Sequence, residues 1–339
     1  KEVAEIRGQV TPDRCAITRI CGCYVVAEKN IKTQLKEAFL SLPEEDAFKY
    51  LDIFKKTLSG SIGRSLLNLD FPLEEEQEGG KQEFLLRLLH SRLKDDSLLE
   101  EFYSRVIETY PCTENYYIIL IHASYDVPGK ASDGSEMFDA SDNVYEYLLC
   151  SLCPVHLSKP GLGYNTESNR IENHSQDWMV ELPARGFLFP VFNDRYTDIH
   201  SLLYYTKNAA ELQEGFLKEM FGCSQIPLPA DGQKEAFHAL IAETLGTECD
   251  YSVVKNIHET LNEKLEEYKD SPEPLELGRQ EMRRLFEESG VSDQLLEDFD
   301  ARYEEQAGGQ APFLASNIAS AKTFQIETPD VVIKVSPEA

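Results

Sequence analysis

Apolar residues fall into runs of two kinds along this chain, and each kind predicts a different element. Residues 16–26, Ala-Ile-Thr-Arg-Ile-Cys-Gly-Cys-Tyr-Val-Val, are rich in β-branched and aromatic types and predict a strand. Residues 116–125 and 144–155 are near-continuous apolar runs of strand length, as expected of strands buried within a sheet. Shorter pieces at 178–182, 186–192 and 199–206 predict further strands. Helical spacing appears at Ala47, Tyr50, Leu51, Phe54 and Leu58, with Gly60 as the stop. Ser41-Leu42-Pro43-Glu44 ahead of it has the Ser-x-x-Glu spacing of a capping box. Residues 70–80 predict an exposed loop, 81–110 a helical stretch broken near Lys94-Asp95-Asp96, and 209–221 another helix.

After Ile226 the period changes. Pro227, Pro229 and Gly232 make a linker, and 235–245 and 251–268 predict helices. In the second, Val254, Ile257, Leu261, Leu265 and Tyr268 form one stripe with Glu259, Glu263, Glu266 and Glu267 outside it. Ser271-Pro272-Glu273-Pro274 breaks the chain, and two short helices flank Ser289-Gly290-Val291. Residues 330–335 predict a strand that the end of the sequence cuts off. Blocks arranged in this way predict an α+β fold, a mixed or mainly antiparallel sheet with packed helices plus an acidic helical C-terminal region. The expected organisation is a sheet domain over 1–225, the acidic helical region over 226–310, and a tail with one strand over 311–339.

Composition narrows the function. The 339 residues carry 33 Lys and Arg against 60 Asp and Glu, a formal net charge of -27. Such a balance argues against clamping a nucleic-acid backbone, which rests on a basic footprint. With 42% hydrophobic residues the acidity sits on a folded core and not on a disordered acidic chain. The charge is uneven: residues 1–36 hold seven bases and four acids, a net of +3, whereas 243–305 hold nineteen acids and seven bases, a net of -12. The expected partner is a protein with a basic surface, and nucleic acid is expected only through the N-terminal segment with Arg14, Arg19 and Tyr24. No apolar run reaches the length of a membrane span. The opening Lys1-Glu2-Val3-Ala4-Glu5 lacks the apolar core of an export signal. Eight cysteines are too sparse for a disulfide scaffold, so a reducing cytoplasm is expected and the Asn173-His174-Ser175 sequon has no consequence there.

Three constellations carry chemistry. Cys21-Gly22-Cys23 and Cys150-Ser151-Leu152-Cys153 are two close thiol pairs of the sort a tetrahedral zinc site uses, with His156 as a substitute ligand. Against this, residues i and i+3 of a strand point to opposite faces, so Cys150 and Cys153 converge only if the strand turns. Small buried core residues are the simpler role, and a Cys-x-x-Cys also admits redox chemistry. The acidic connection with Asp126, Asp133, Glu136, Asp139 and Asp142 offers oxygen ligands without the order of a helix-loop-helix calcium site. Asn193-Asp194-Arg195 with Asp198 and His200 lies between strand-like pieces, and His122 with Asp126 could join it across a sheet. A metal-dependent hydrolase using His122, Asp126, Asp194, Asp198 and His200 is therefore the rival to a non-enzymatic binding or regulatory protein. Gly60-Ser61-Ile62-Gly63-Arg64-Ser65 lacks phosphate-loop spacing, and no nucleophile-elbow, zinc-protease or dinucleotide motif is present.

Several longer strings carry a resemblance: Asp13-Arg14-Cys15-Ala16-Ile17-Thr18-Arg19-Ile20-Cys21-Gly22-Cys23-Tyr24, Tyr125-Asp126-Val127-Pro128-Gly129-Lys130-Ala131-Ser132-Asp133-Gly134, Gly186-Phe187-Leu188-Phe189-Pro190 and Thr197-Asp198-Ile199-His200-Ser201. By these the chain resembles, over essentially its whole length, a bacterial family known as domain of unknown function 4317. The resemblance implies a cytoplasmic protein of a Gram-positive anaerobe, with chains that continue past the last strand. It brings no activity to carry over.

Overall fold

The apolar runs of the first 225 residues become adjacent strands of one antiparallel sheet. The structure, a computed structural model, describes residues 2–14, 16–130, 136–137, 143–166, 168–174, 176–193, 195–223, 225–246, 249–269, 271, 274–307, 312–319, 324–328 and 331–335. It divides into two units, Lys1–Asn208 with Leu212–Ser224, and Ala209–Glu211 with Gln225–Ala339. In the first unit the strands are β1 (Ile17–Val25), β2 (Ile31–Glu37), β3 (Leu66–Asp70), β4 (Tyr116–Val127), β5 (Gly129–Lys130), β6 (Glu136–Met137), β7 (Asn143–Leu157), β8 (Gly161–Asn165), β9 (Arg170–His174), β10 (Trp178–Val180), β11 (Arg185–Phe189), β12 (Val191–Asn193), β13 (Tyr196–Asp198) and β14 (Ser201–Thr206). Its helices are α1 (Glu2–Gln9), α2 (Glu44–Thr57), α3 (Lys81–His90), α4 (Asp96–Thr109) and α5 (Glu214–Phe221). The main sheet runs β2-β1-β4-β7-β11-β14-β3, every neighbouring pair antiparallel, and β10 joins the far end of β7. The fold is thus α+β with packed helices on an antiparallel sheet.

Both faces of this sheet are covered, which is why β4 and β7 are apolar at almost every position. On one face α2 packs Leu51 and Phe54 among Ile119, Ile121, Leu149, Leu188 and Leu203. Thr57 of α2 shares a 2.7 Å hydrogen bond with Ser151. On the other face the ring of Phe187 meets Phe102 of α4 and Phe221 of α5. Among the described residues no helix is long and apolar enough to cross a membrane.

The second unit is built from α6 (Ala230–Leu245), α7 (Tyr251–Glu267), α8 (Arg279–Glu288), α9 (Phe299–Ala307) and α10 (Ala315–Ile318). Strands β15 (Glu276–Leu277) and β16 (Phe313–Leu314) pair with each other. Phe237, Ile257, Leu261, Phe286, Phe299 and Phe313 form its core. Of the stripe predicted for α7, Val254, Ile257 and Leu261 are buried and Leu265 is half-buried, whereas Tyr268 follows the end of the helix and is exposed.

Several local expectations are corrected. Ser41 does not cap α2: it ends a short 3-10 turn and its hydroxyl donates to the Ala38 carbonyl, while the helix starts after Pro43. Residues 209–213 are not helical, and α5 begins only at Glu214. At the chain's end Val331–Val335 is one arm of a hairpin, β18, paired with β17 (Phe324–Thr328) and not a lone strand.

Candidate functional site

Register fixes the face of each candidate thiol. Cys21 lies opposite Leu120, which lies opposite Cys150, and Cys23 lies opposite Ile118. Directly opposed residues share a face, so Cys21, Cys23 and Cys150 all point toward the α4 side, where Tyr103 lies among them. Cys153 is three residues on from Cys150 and turns to the α2 side beside Tyr117. The four thiols therefore do not converge as a zinc quartet. Cys150 and Cys153 stand about 10 Å apart along a straight strand, beyond disulfide reach. Burial pushes the Cys21 thiol up to about 11 and the Cys23 thiol to about 12, and raises Cys150 and Cys153 further. Thiolates, the reactive and ligating form, are disfavoured at all four positions. His156 lies on β7 beyond them, half exposed, near Glu114 and Glu181. In the native protein a thiol reagent is expected to label exposed Cys249 rapidly and these four at least about 1,000-fold more slowly, through opening of the core. Mass spectrometry of time-quenched samples reads this directly; comparable labelling of Cys21 and Cys249 would remove the core assignment.

Of the histidine and aspartate set, Asp198 and His200 lie together, the His200 backbone N–H donating to Asp198 Oδ1 at 3.0 Å, and His122 lies apart from them. His122 is buried on β4, whereas His200 precedes β14, three strands across the sheet and on the order of 14 Å away. Asp126 is exposed near the end of β4. Asp194 lies outside the described residues, as do Asp133, Asp139 and Asp142. Glu136 falls in the short strand β6. Among the described residues no group of three or more His, Cys, Asp or Glu is placed to hold a metal ion.

Two smaller arrangements remain. Around His122 the β1–β4 pairing slips at Thr18, whose hydroxyl donates to the His122 carbonyl at 3.1 Å and stands 2.7 Å from Nδ1. The imidazole Nε2 is buried without a hydrogen-bond partner. Burial lowers the His122 pKa, with Glu146 opposing the shift and Arg92 and Lys94 adding to it. Its neutral ring fills a closed place in the sheet's packing. At the loop ahead of β14, the Ser201 hydroxyl lies 2.9 Å from both Asp70 Oδ1 and Asp198 Oδ2, while His200 Nδ1 pairs with Glu76 at 2.8 Å. That hydrogen bond raises the His200 pKa. The serine hydroxyl contacts the two carboxylates and not the imidazole, so Ser201 and His200 are not paired as nucleophile and base. The cluster ties the loop to β3 and to the turn that precedes α3.

The N-terminal basic segment is partly turned inward. Arg19 lies opposite His122 with its Nε buried, and the Tyr24 hydroxyl accepts from Asn115 Nδ2 at 3.0 Å. Arg14 remains exposed.

What the structure does present outward is of two kinds. In the second unit Glu259, Glu263, Glu266 and Glu267 line the exposed side of α7. Six of the seven bases in residues 243–305 already sit in ion pairs inside that unit: Lys255, Lys264, Lys269, Arg279, Arg283 and Arg302. Acids outnumber bases in that stretch by twelve. In the first unit, β7 runs past the sheet into an arm with β8, β9 and β10 that exposes Leu162, Tyr164, Ile171, Trp178 and Met179. Sequence pattern predicts strands near the last two but does not show that they are uncovered.

The family model described as domain of unknown function (DUF4317) matches residues 1–339, and the chain belongs to that family. No curated protein matches the chain.

Proposed function

We propose that this DUF4317 protein is a non-enzymatic binding or regulatory protein of the cytoplasm, whose acidic helical unit meets a partner with a basic surface. The observation that carries this reading is the acid surplus on α7 and its neighbours. Six of the seven local bases are ion-paired inside the unit, and the exposed Glu263 and Glu267 of α7 favour an outside cation. The separation of His122 from Asp198 and His200, and the high pKa values of the core thiols, agree with a protein that acts through its surface. Its buried free thiols accord with a reducing compartment.

The full chain immobilised at low salt is expected to retain a basic protein from native bacterial lysate and to release it as salt rises. A loss of about 10- to 100-fold in affinity between about 0.05 and about 0.3 M salt fits contacts that depend on screened charge. Reversing Glu263, Glu266 and Glu267 to Lys should weaken capture without lowering thermal stability, because all three are exposed. Capture that ignores salt, or that the triple reversal leaves intact, would sink the proposal.

A further inference from the structure

On the α4 side of the sheet a polar group of residues gathers where β1 begins. Arg19 of β1 lies directly opposite His122 of β4, and Glu146 of β7 is the diagonal neighbour of His122 on that same side. The connection from α3 to α4 reaches them: the Arg92 guanidinium donates to Glu146 Oε1 at 2.7 Å, and the charges of Arg92 and Lys94 both act on the His122 ring. In this connection Arg92 and Leu93 are successive left-handed residues, at φ 51° and 56°, and Leu93 is fully buried. Non-glycine residues held in that region collect at ligand clamps.

The carboxylates nearby are already used. Asp95 Oδ1 accepts from the first amides of α4, at Ser97 and Leu98, while Asp96 pairs with Lys36 and Glu146 pairs with Arg92. Arg19 and Lys94 are left without a carboxylate among the described residues, and the Arg19 guanidinium approaches the Cys21 thiol instead. Two buried nitrogens, Arg19 Nε and His122 Nε2, have no hydrogen-bond partner. An unpaired buried nitrogen is costly, and a bound acceptor recovers that cost. We infer that this place binds a small oxyanion, a phosphate or sulfate group, between Arg19, Lys94 and His122, with His122 taking a proton from solvent on Nε2 as the anion enters. The Thr18 hydroxyl donates to the His122 carbonyl, so the hydrogen between its oxygen and Nδ1 sits on the ring. Nε2 is then the lone-pair nitrogen, and only its protonated form donates to an anion. A net charge of -27 repels free anions from most of the surface, so a site for one is built from bases that no local acid cancels. This site belongs to the first unit and owes nothing to the basic partner proposed for the acidic unit, so either can fail alone.

The test is calorimetric titration of the full chain with sulfate, whose own charge is constant between about pH 7.5 and about pH 5.5, at an ionic strength held fixed with chloride. Saturable binding is expected, and it should tighten by at least about 10-fold across that range, because one coupled proton gives up to about 10-fold per pH unit. His122→Gln should remove this pH dependence, since it leaves the charged groups that face the ring in place: Glu146 from β7, Arg92 and Lys94 from the connection, and Arg19 from β1. Proton uptake is also read without a variant, from the heats in two buffers of different ionisation enthalpy. Lys94→Ala should weaken binding by about 10-fold or more, whereas Lys32→Ala, which removes the same charge at the other end of β2, should leave it unchanged. Both lysines are exposed, and circular dichroism establishes that the variants fold. Displacement of sulfate by inorganic phosphate or by a sugar phosphate supports the site, and the tighter of the two tells a free ion from a phosphorylated small molecule. The inference is overturned by the absence of saturable heat, by an equal loss in Lys94→Ala and Lys32→Ala, by a pH dependence that survives His122→Gln, or by binding confined to an RNA oligonucleotide.

Discussion

Replacing Gly186 by alanine is expected to destabilise the first unit by about 3–5 kcal/mol, more than a typical surface or core substitution. Gly186 is on β11, opposite Ser151 of β7 and facing α2. A Cβ placed there would stand 2.5 Å from the Cys150 carbonyl oxygen and 2.5 Å from Thr57 Cγ2. Neither neighbour yields easily. The carbonyl belongs to the central ladder of the sheet, and Thr57 is buried and hydrogen-bonded both to Ser151 and to the Ile53 carbonyl. Relief requires α2 to lift from the sheet, which would open the core around Phe54 and Leu149. The matched control is Gly215→Ala in α5, where a Cβ meets nothing within 4 Å and helix propensity favours alanine by up to about 1 kcal/mol. In thermal unfolding the first variant should melt lower by about 10 °C and the second no lower than the parent. Equal melting of the two would mean that α2 does not seat against β11 as described.

The same residues show how much of the architecture is legible in the sequence. Strands β1, β4 and β7 declare themselves because a strand covered on both faces must be apolar at nearly every position. The helix α7 declares itself because one face is covered and the other is not. Strand β2, Ile-Lys-Thr-Gln-Leu-Lys-Glu, does not: it is an exposed edge strand whose extended form comes from pairing with β1, and its lysines guard that edge. Helix α1 is equally silent, since only Ile6 of it is buried and Arg195, far along the chain, holds it by an ion pair with Glu5. The single-side rule for i and i+3 correctly separates Cys150 from Cys153. That Cys21 and Cys23 share a side with Cys150 depends on the register of two strand pairs, which no local pattern encodes. The exposed arm is the hardest to foresee. Alternation of Leu162, Gly163 and Tyr164 reads the same whether the apolar side is covered or bare.

Acidification from pH 6.5 to about 4 is expected to weaken the second unit by about 3 kcal/mol through one residue, His258 of α7. Burial, with the nearby His238 and Lys234 adding to it, lowers the His258 pKa from 6.5 to about 4. Its ring packs edge-on against Phe237 in the unit's core, 5.8 Å between centroids. Above pH 6.5 the ring is neutral in the folded and unfolded chain alike, so it contributes no slope. Between pH 6.5 and 4 the unfolded chain takes up a proton that the folded one refuses, and stability falls by about 1.4 kcal/mol per pH unit. Below pH 4 both states are protonated and the loss levels off. The parent curve alone does not isolate the histidine. His258→Gln keeps a polar side chain of similar reach and removes the titration; urea unfolding of the variant should show a shallower pH dependence than the parent from 6.5 down to 4. Every contribution common to both proteins cancels in the difference. If the two stability curves run parallel through that window, His258 is not held neutral by the core, and the packing of α6 on α7 around Phe237 must be looser than the distances indicate.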